Sequence, residues 1–433
     1  MEKKLERQVF ETSRELEFFT EKELMMQIGH DTHLWPIALL KELIDNALDA
    51  CELAGRAPEI EIAVDEESFS ISDNGPGLPE ETMVRSMDYL VRVSDKAYYV
   101  SPTRGQMGNA LKAVWAAGFV ANGEGVVEVA SLGKRHVVTV SLDRIAQKPR
   151  MVPEVSPDGF VKNGTFVKVH WPESSGRLLE GSHSFYNGRQ YRADQLIEAY
   201  AAFNPHATFK LNGKTYDRTD PTWRKWRPDE PTSPHWYTPE TLRDLIAAYV
   251  AEERRRGKKI KTVRAFVSEF RGLTSTIKQK EISAAYSGVY LQDMVKDDDI
   301  DPAFVERLLA DMKGMSKPPK PSALGIIGKD HLTRWMTIHG DAAEKSVKYH
   351  CTMSKEGMPH VIEVAFGVRK RDNASRILCT GMNWTPALGD PIPTLSHVVQ
   401  EMRIDFHDPV TLVVHLARPR FEFVDRGKTR VDW

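Results

Sequence analysis

The stretch ALLKELIDNALDA, Ala38 to Ala50, decides the reading of this chain. At helical periodicity Leu40, Leu43, Ile44 and Ala47 fall on one face, which leaves Glu42, Asp45, Asn46 and Asp49 on the other. Glu42 and Asn46 sit one turn apart. That spacing lets a carboxylate orient a water while an amide oxygen one turn later holds a magnesium ion, which takes oxygen ligands and keeps waters and phosphates besides. A solvated acidic face is the plain alternative, because charge runs on amphipathic helices are commonly surface.

Further along, SFSISDNGPGL (Ser68 to Leu78) reads as a strand running into Asp73, Asn74, Gly75, Pro76 and Gly77. Turn chemistry alone would explain these residues. A carboxylate fixed at a strand end can also accept the amino group of an adenine, while Gly75 and Gly77 let a base or phosphate approach the backbone. In TRGQMGNALKAVWAAGF (Thr103 to Phe119), Gly105 and Gly108 precede a helix expected to begin near Asn109. Free amides at such a start suit phosphates, and an ordinary loop before a helix has the same pattern. GTFVKVHW (Gly164 to Trp171) places Thr165 at a strand start, where by itself it is a β-former.

Around these motifs the pattern mixes strands and helices. Ile60, Ile62 and Val64 alternate, as do Phe69 and Ile71, Val127 and Val129, and Val167 and Val169, with helices expected over Pro36 to Leu53 and Asn109 to Phe119. This predicts an α/β sandwich, an open sheet covered by helices. Between Asp220 and about Met315 charged helical segments take over, including Pro239 to Arg256 and Asp301 to Met312. The run KPPKPS (Lys317 to Ser322) leads into a final region with apolar alternation in HVIEVAFGV and TLVVHLA. The expected domains are therefore residues 1–219, 220–316 and 317–433.

A chain of 433 residues with 41% hydrophobic composition can hold two or three such cores. Lysine plus arginine number 59 against 61 aspartate plus glutamate, so attraction to a polyanion has to come from local patches. Cys51, Cys351 and Cys379 form no CxxC pair, which argues against a disulfide framework or zinc site and fits a reduced, cytoplasmic setting. The charged amino terminus lacks the apolar core of a signal peptide, and no stretch approaches 18 uninterrupted apolar residues, so no membrane partner is expected.

The order ELIDNALDA, DNGPGL, RGQMGNALK and GT resembles the four nucleotide-site motifs of the ATPase superfamily that includes DNA gyrase, heat-shock chaperones, histidine kinases and MutL. LEFFTEKEL, DNALDACELAGRAPEIEI and RGQMG are closer still to the B subunit of DNA topoisomerase VI, a resemblance that covers nearly the whole chain. It implies a Bergerat-type ATP site in which Glu42 is the general base, Asn46 the Mg2+ ligand and Asp73 the adenine reader. Arg104, Gly105, Gln106, Met107, Gly108, Asn109, Ala110 and Leu111 would form the phosphate lid, and Gly75, Gly77, Asp95, Lys96 and Thr165 would complete the nucleotide contacts. SPHWYTPETL, KTVRAFVSEF and PPKPSALGIIGKDHL resemble landmarks of the family's helix-two-turn-helix domain, and the last region resembles its transducer domain. The implied protein is an ATP-gated dimeric clamp on double-stranded DNA, served by a separate DNA-cleaving A subunit.

Several positions depart from the family pattern. Ala110 replaces the last lid glycine, Asp95 stands where a serine is expected before Lys96, and Arg420 occupies the position of the switch lysine. Arginine keeps the charge but offers a planar fork in place of a point ammonium. The family continues into a long stalk helix that docks the A subunit, whereas this sequence stops at Trp433, and the tryptophan-lysine motif is missing around Glu401 to Pro409. No TOPRIM-like or tyrosine-nucleophile segment is recognisable, so the chain is not expected to cut DNA unaided. The missing stalk favours a second reading, a repurposed ATP-dependent DNA sensor or clamp with an unrelated effector, in genome defence or plasmid maintenance; a chaperone or kinase on the same core fits the later regions least. For DNA the candidates are Arg254, Arg255, Arg256, Lys258, Lys259 and Lys261, with WRKWR (Trp223 to Arg227) beside them and Arg369 to Arg371 as a weaker patch. Solvation alone would equally explain such basic runs.

Overall fold

The computed structural model describes residues 14–89, 97–104, 110–146, 148–159, 161, 163–183, 190–372, 374–389, 391–424 and 431–432. The first helices are α1 (Glu21–Ile28) and α2 (Trp35–Leu53). Pro36 stands in the first turn of α2, where its missing N–H costs no hydrogen bond. Strands β1 (Glu59–Val64) and β2 (Ser68–Asp73) follow, then α3 (Ala110–Asn122), β3 (Gly125–Ser131), β4 (Lys134–Asp143), β5 (Lys148–Pro157) and β6 (Thr165–His170). Helix α4 (Ala193–Phe203) leads into β7 (Thr208–Leu211) and β8 (Lys214–Tyr216).

These eight strands form one open sheet in the order β8-β7-β1-β2-β6-β3-β4-β5. All neighbours are antiparallel except β1 and β7. The alternation read from the sequence is the alternation of burial: Ile60, Ile62 and Val64 point into the core while Glu59, Glu61 and Ala63 face out. Helices α2 and α3 lie on the inner face, with Leu40, Leu43, Ala47, Val114 and Trp115 packed on Phe69, Val127 and Val169. The amino-terminal aromatic pair joins the same core, Phe19 lying 4.6 Å from the Tyr89 ring and 5.8 Å from Phe119. An open sheet with helices on it is the architecture expected from the sequence.

The middle region is helical, with α5 (Pro239–Arg256) and α6 (Pro302–Met315). Thr238 caps α5 in a reciprocal box with Thr241, and Gly257 closes it in the left-handed conformation. After α7 (Lys329–Ile338) come β9 (Lys348–Ser354), β10 (His360–Val368), β11 (Ile377–Met382), β12 (Thr385–Pro386), α8 (Pro393–Glu401) and β13 (Val410–Ala417). They make a second sheet, β9-β10-β13-β11-β12, in which β11 and β13 run parallel. The proline-rich run at 317–322 does not separate two cores. Leu308 of α6, Leu324 just after the prolines, and Val361 and Val413 of the second sheet share one hydrophobic cluster with Phe203 of α4 and Val100.

Where α4 meets the second sheet, Gly381 of β11 lies flat on the Phe203 ring, and a Cβ at Gly381 would come within 2.5 Å of it. Phe203 is itself fully buried, so overpacking there has no cheap relief. Gly381→Ala is expected to cost about 1–3 kcal/mol, read as a lowered melting temperature; an unchanged melt would mean that α4 and β11 are not in this contact.

Candidate active site

Helix α2, the end of β2 and the start of β6 converge at one edge of the inner layer. Antiparallel pairing of β2 with β6, with Ser72 opposite Phe166, brings Asp73 beside Thr165. The Gly75 amide donates to Asp73 Oδ1 at 2.8 Å and the Thr165 amide reaches the same oxygen at 3.3 Å. Burial pushes the Asp73 carboxyl up to about 6, against the pull of those two amides. Gly164 makes the approach possible. At φ +80° a side chain there would be strained, and its Cβ would fall 1.9 Å from the Asp73 carbonyl oxygen.

The loop after Asp73 is held from outside by groups that the motifs alone do not single out. Arg56 donates to the Asn74 and Gly75 carbonyls at 2.8 and 2.7 Å, and the Asn74 side chain is bound by the Glu59 amide and the Ala57 carbonyl. Ser131 accepts from the Leu78 amide at 2.8 Å and donates to the Gly164 carbonyl at 3.0 Å, so one buried hydroxyl ties the DNGPGL loop to the Gly-Thr start of β6. Gly77 passes beside Ser131 and Leu132. The legible signal for Ser131 is a small polar residue at a buried position of a strand whose other buried positions are Gly125, Val127, Val129 and Ala130.

On α2, Glu42 is half-buried with Lys41 Nζ 3.6 Å from its Oε1, and Asn46 one turn on is exposed. Two carboxylates expected on a polar outer face are not there. Asp45 and Asp49 are each 2% exposed, because they are satisfied inside the protein and not by water. Asp49 and Glu52 hold Arg104, whose guanidinium lies 2.7 Å from Asp49 and 2.8 Å from Glu52, and also reaches Asn204. Arg104 bonds both Glu52 oxygens, Lys225 approaches Oε2 at 2.6 Å, and His206 bonds Oε1 at 2.9 Å. Burial would raise the Glu52 carboxyl, yet Arg104 and Lys225 hold it well below the usual carboxylate range. Arg104, read as the first lid residue, is therefore fully buried and bonded to the base of α2. Lys225 of the WRKWR stretch is buried as well, so it is not part of a solvent-facing basic patch.

Ala110 opens α3 and Leu111 packs against the first core. Asp95, Lys96, Gly105, Gln106, Met107, Gly108 and Asn109 lie outside the described residues. Arg420 is half-buried near Tyr237, whose hydroxyl accepts the Val100 amide at 3.1 Å, and makes no hydrogen bond or ion pair among the described residues. The basic run is partly neutralised locally: Arg255 and Arg256 share Glu252 at 2.5 and 2.6 Å, Lys259 pairs with Asp293, and Lys261 with Glu269. Arg254 and Lys258 have no ion-pair partner among the described residues. Arg369 and Arg371 both face Asp341.

No group of three or more His, Cys, Asp or Glu side chains that could hold a metal occurs among the described residues. An exposed amide one turn from a carboxylate still suits Mg2+, because that ion is held mostly by substrate phosphates and water with one or two protein oxygens. Among the described residues no helix is long and apolar enough to cross a membrane.

Residues 33–174 match the family described as histidine kinase-, DNA gyrase B- and HSP90-like ATPase, so this part of the chain is an ATPase domain of that class. The chain is also similar to the B subunit of type 2 DNA topoisomerase 6. The B subunit from Methanosarcina barkeri is 26% identical over 212 residues, 46% of this chain and 32% of the relative. The one from Metallosphaera sedula is 23% identical over 428 residues, covering 90% of this chain and 74% of the relative. The first relatives are thus matched over about a third of their own length. The ATPase region of Saccharomyces cerevisiae topoisomerase II aligns with 91% of this chain and 76% of its own, at 11% identity and a TM-score of 0.39.

Asp73 gives a test of the site without turnover. A carboxyl whose folded pKa lies above its ordinary value favours folding only while protonated, so its cost is absent below about pH 4 and complete above about pH 6. Asp73→Asn should therefore abolish ATP-analogue binding yet stabilise the free protein at pH 8 by about 1–2 kcal/mol, with the gain fading as the pH falls from 6 to 4. Denaturant melts across that range check it; a gain independent of pH would contradict the assignment.

Proposed function

We propose that this chain is the ATP-binding and ATP-hydrolysing subunit of a topoisomerase VI-like machine, an ATP-gated dimeric clamp on double-stranded DNA whose strand cleavage belongs to a separate A-like subunit. The observation that carries the reading is the Asp73 cradle, built from Gly75, Gly164 and Thr165 inside an ATPase domain and set at the edge of the helix bearing Glu42 and Asn46. In this reading residues 1–219 bind the nucleotide, residues 220–316 face DNA and residues 317–433 transmit closure.

The chemistry follows from the groups on that edge. Asp73, mostly ionised at neutral pH, accepts the adenine amino proton, and its fixed oxygen discriminates against a base that offers a carbonyl there. Glu42 is open enough to reach a water and has the Lys41 ammonium 3.6 Å away, and it accepts the proton of the water attacking the terminal phosphoryl group. Asn46 supplies an amide oxygen to Mg2+, which when bound neutralises charge developing on the phosphates. We assign the base to Gly75, Gly77 and Thr165, and the phosphates to Asp95, Lys96, Arg420 and the lid segment from Gly105 to Leu111, while the Arg104 side chain stays with Asp49 and Glu52.

ATP turnover measured with and without duplex DNA tests the reading. Glu42→Ala should lose at least 100-fold in kcat, the order expected of a general base, while still binding ATP and forming dimers with a non-hydrolysable analogue. Turnover that survives in Glu42→Ala would remove the base assignment, and absence of nucleotide binding would remove the function. For the DNA surface, Arg254→Ala with Lys258→Ala should weaken duplex binding and reduce the slope of log K against log salt by about 2. An unchanged slope would move the contact elsewhere.

A further inference from the structure

Asp45 is the carboxylate of α2 that the proposed chemistry leaves unused. It is 2% exposed, and both of its oxygens are met by protein groups. Its Oδ2 takes the Lys41 ammonium at 3.1 Å. Its Oδ1 takes the Thr385 hydroxyl at 2.6 Å and lies 2.8 Å from the Tyr200 hydroxyl. Tyr200 has one proton for two acceptors, because its oxygen is also 2.9 Å from the Lys41 carbonyl. Thr385 is thus the undivided hydroxyl donor, and it comes from β12, 340 residues along the chain from Asp45.

Lys41 stands between two anions. Its Nζ is 3.1 Å from Asp45 and 3.6 Å from Glu42, so the buried carboxylate and the half-buried one share a single ammonium. Burial alone would lower the Lys41 pKa, but Asp45 and then Glu42 outweigh it and raise it, which keeps the lysine charged. How the ammonium divides between them depends on how fully Asp45 is satisfied by others. A hydroxyl donating to Asp45 Oδ1 draws charge from that carboxylate and leaves more of the ammonium to Glu42. Without it, Asp45 is a buried anion short of one donor, and the nearest flexible donor is Lys41.

We propose that Thr385, acting through Asp45 and Lys41, is a positioning residue for Glu42, so that seating of the β11–β12 hairpin against α2 sets the orientation of the base. The inference rests on Glu42 acting as the base. It gives the second sheet a route to the hydrolytic step that needs no contact with nucleotide. The hairpin tip is built for one seating: Asn383 and Trp384 both have positive φ, the Trp384 carbonyl accepts from Asn204, and its indole is buried with Lys225 4.4 Å from the ring centroid.

The test is a double-mutant cycle on ATP turnover with Thr385→Val, which keeps the shape and removes the hydroxyl, and Lys41→Met. Each is expected to lower kcat roughly 5- to 10-fold with the KM for ATP within about twofold, since misplacing a base costs rate more than binding. Thr385→Ser should restore turnover. The double variant should lose no more than the worse single one, because both act along the same line. Equal losses in kcat and affinity, failure of serine to rescue, or multiplied losses in the double variant would overturn the proposal. Glu42→Ala is run alongside: if turnover does not depend on Glu42, the reading of the base falls and takes this inference with it, whereas Glu42-dependent turnover with multiplied losses sinks the inference alone.

Discussion

Burial of three carboxylates on one helix governs the arrangement of this molecule. Asp45, Asp49 and Glu52 lie within two turns of α2, all nearly inaccessible to water. Uncompensated, each would cost several kcal/mol or take up a proton. Compensation comes from Lys41 one turn back on the same helix and otherwise from distant parts of the chain: Tyr200 and Thr385 at Asp45, Arg104 at Asp49 and Glu52, and His206 and Lys225 at Glu52. Such a network adds little net stability over an apolar packing of the same volume, but removing one member leaves the rest unpaired, at about 3–5 kcal/mol for a broken buried pair. What it secures is mutual placement. The first sheet, the start of the helical region and the second sheet cannot shift independently without exposing a charge in the interior.

The nucleotide edge follows a different rule. Asp73 is held by two backbone amides, with burial outweighing them, and its carboxyl is pushed up accordingly. The same helix layer therefore has satisfied acids on its inner side and an underused one at its edge. Glu42 and Asn46 project from one part of the turn while Asp45 and Asp49 anchor the helix beneath them, so the two groups proposed to meet the nucleotide are carried on a fixed support.

The sheet and the long helices are legible because they rest on local alternation, whereas the meeting of Asp73 with Thr165 is implied only by the family resemblance, since Thr165 by itself reads as a β-former. Gly164 can be read as part of a motif, although the reason for it, contact with the Asp73 carbonyl, needs the β2–β6 register. The acids of α2 are misplaced by periodicity because amphipathicity tells polar from apolar and not solvated from paired. Asp45 and Asp49 are polar by composition and interior by contact, and their partners at Arg104, Tyr200 and Thr385 are separated from them by 55 to 340 residues. In the basic run, too, the ion pairs lie beyond what periodicity shows. Periodicity places Arg255 and Arg256 at a helix end, where they share the one carboxylate of Glu252 a turn back, while Lys259 and Lys261 meet acids from other segments. Arg104 takes on the look of a phosphate loop from its neighbours in sequence, and its own side chain belongs to the helix base.

The hairpin between β11 and β12 shows why these long-range contacts hold. A two-residue turn with both residues at positive φ matches the twist of antiparallel strands, but asparagine and glycine normally occupy it, and tryptophan in the left-handed region is disfavoured. The conformation persists because its surroundings over-determine it: the Asn383 side chain accepts the Arg418 amide, the Trp384 amide meets His415, its carbonyl takes Asn204, and the ring is fully buried. Those restraints come from the end of α4 and from β13 of the second sheet at once. The strained turn and the buried acids of α2 are thus two sides of one interface, in which Asn204 bonds both the Trp384 carbonyl and Arg104. A hairpin so constrained has few intermediate positions available to it, and Thr385 either reaches Asp45 or is displaced together with the turn that carries it.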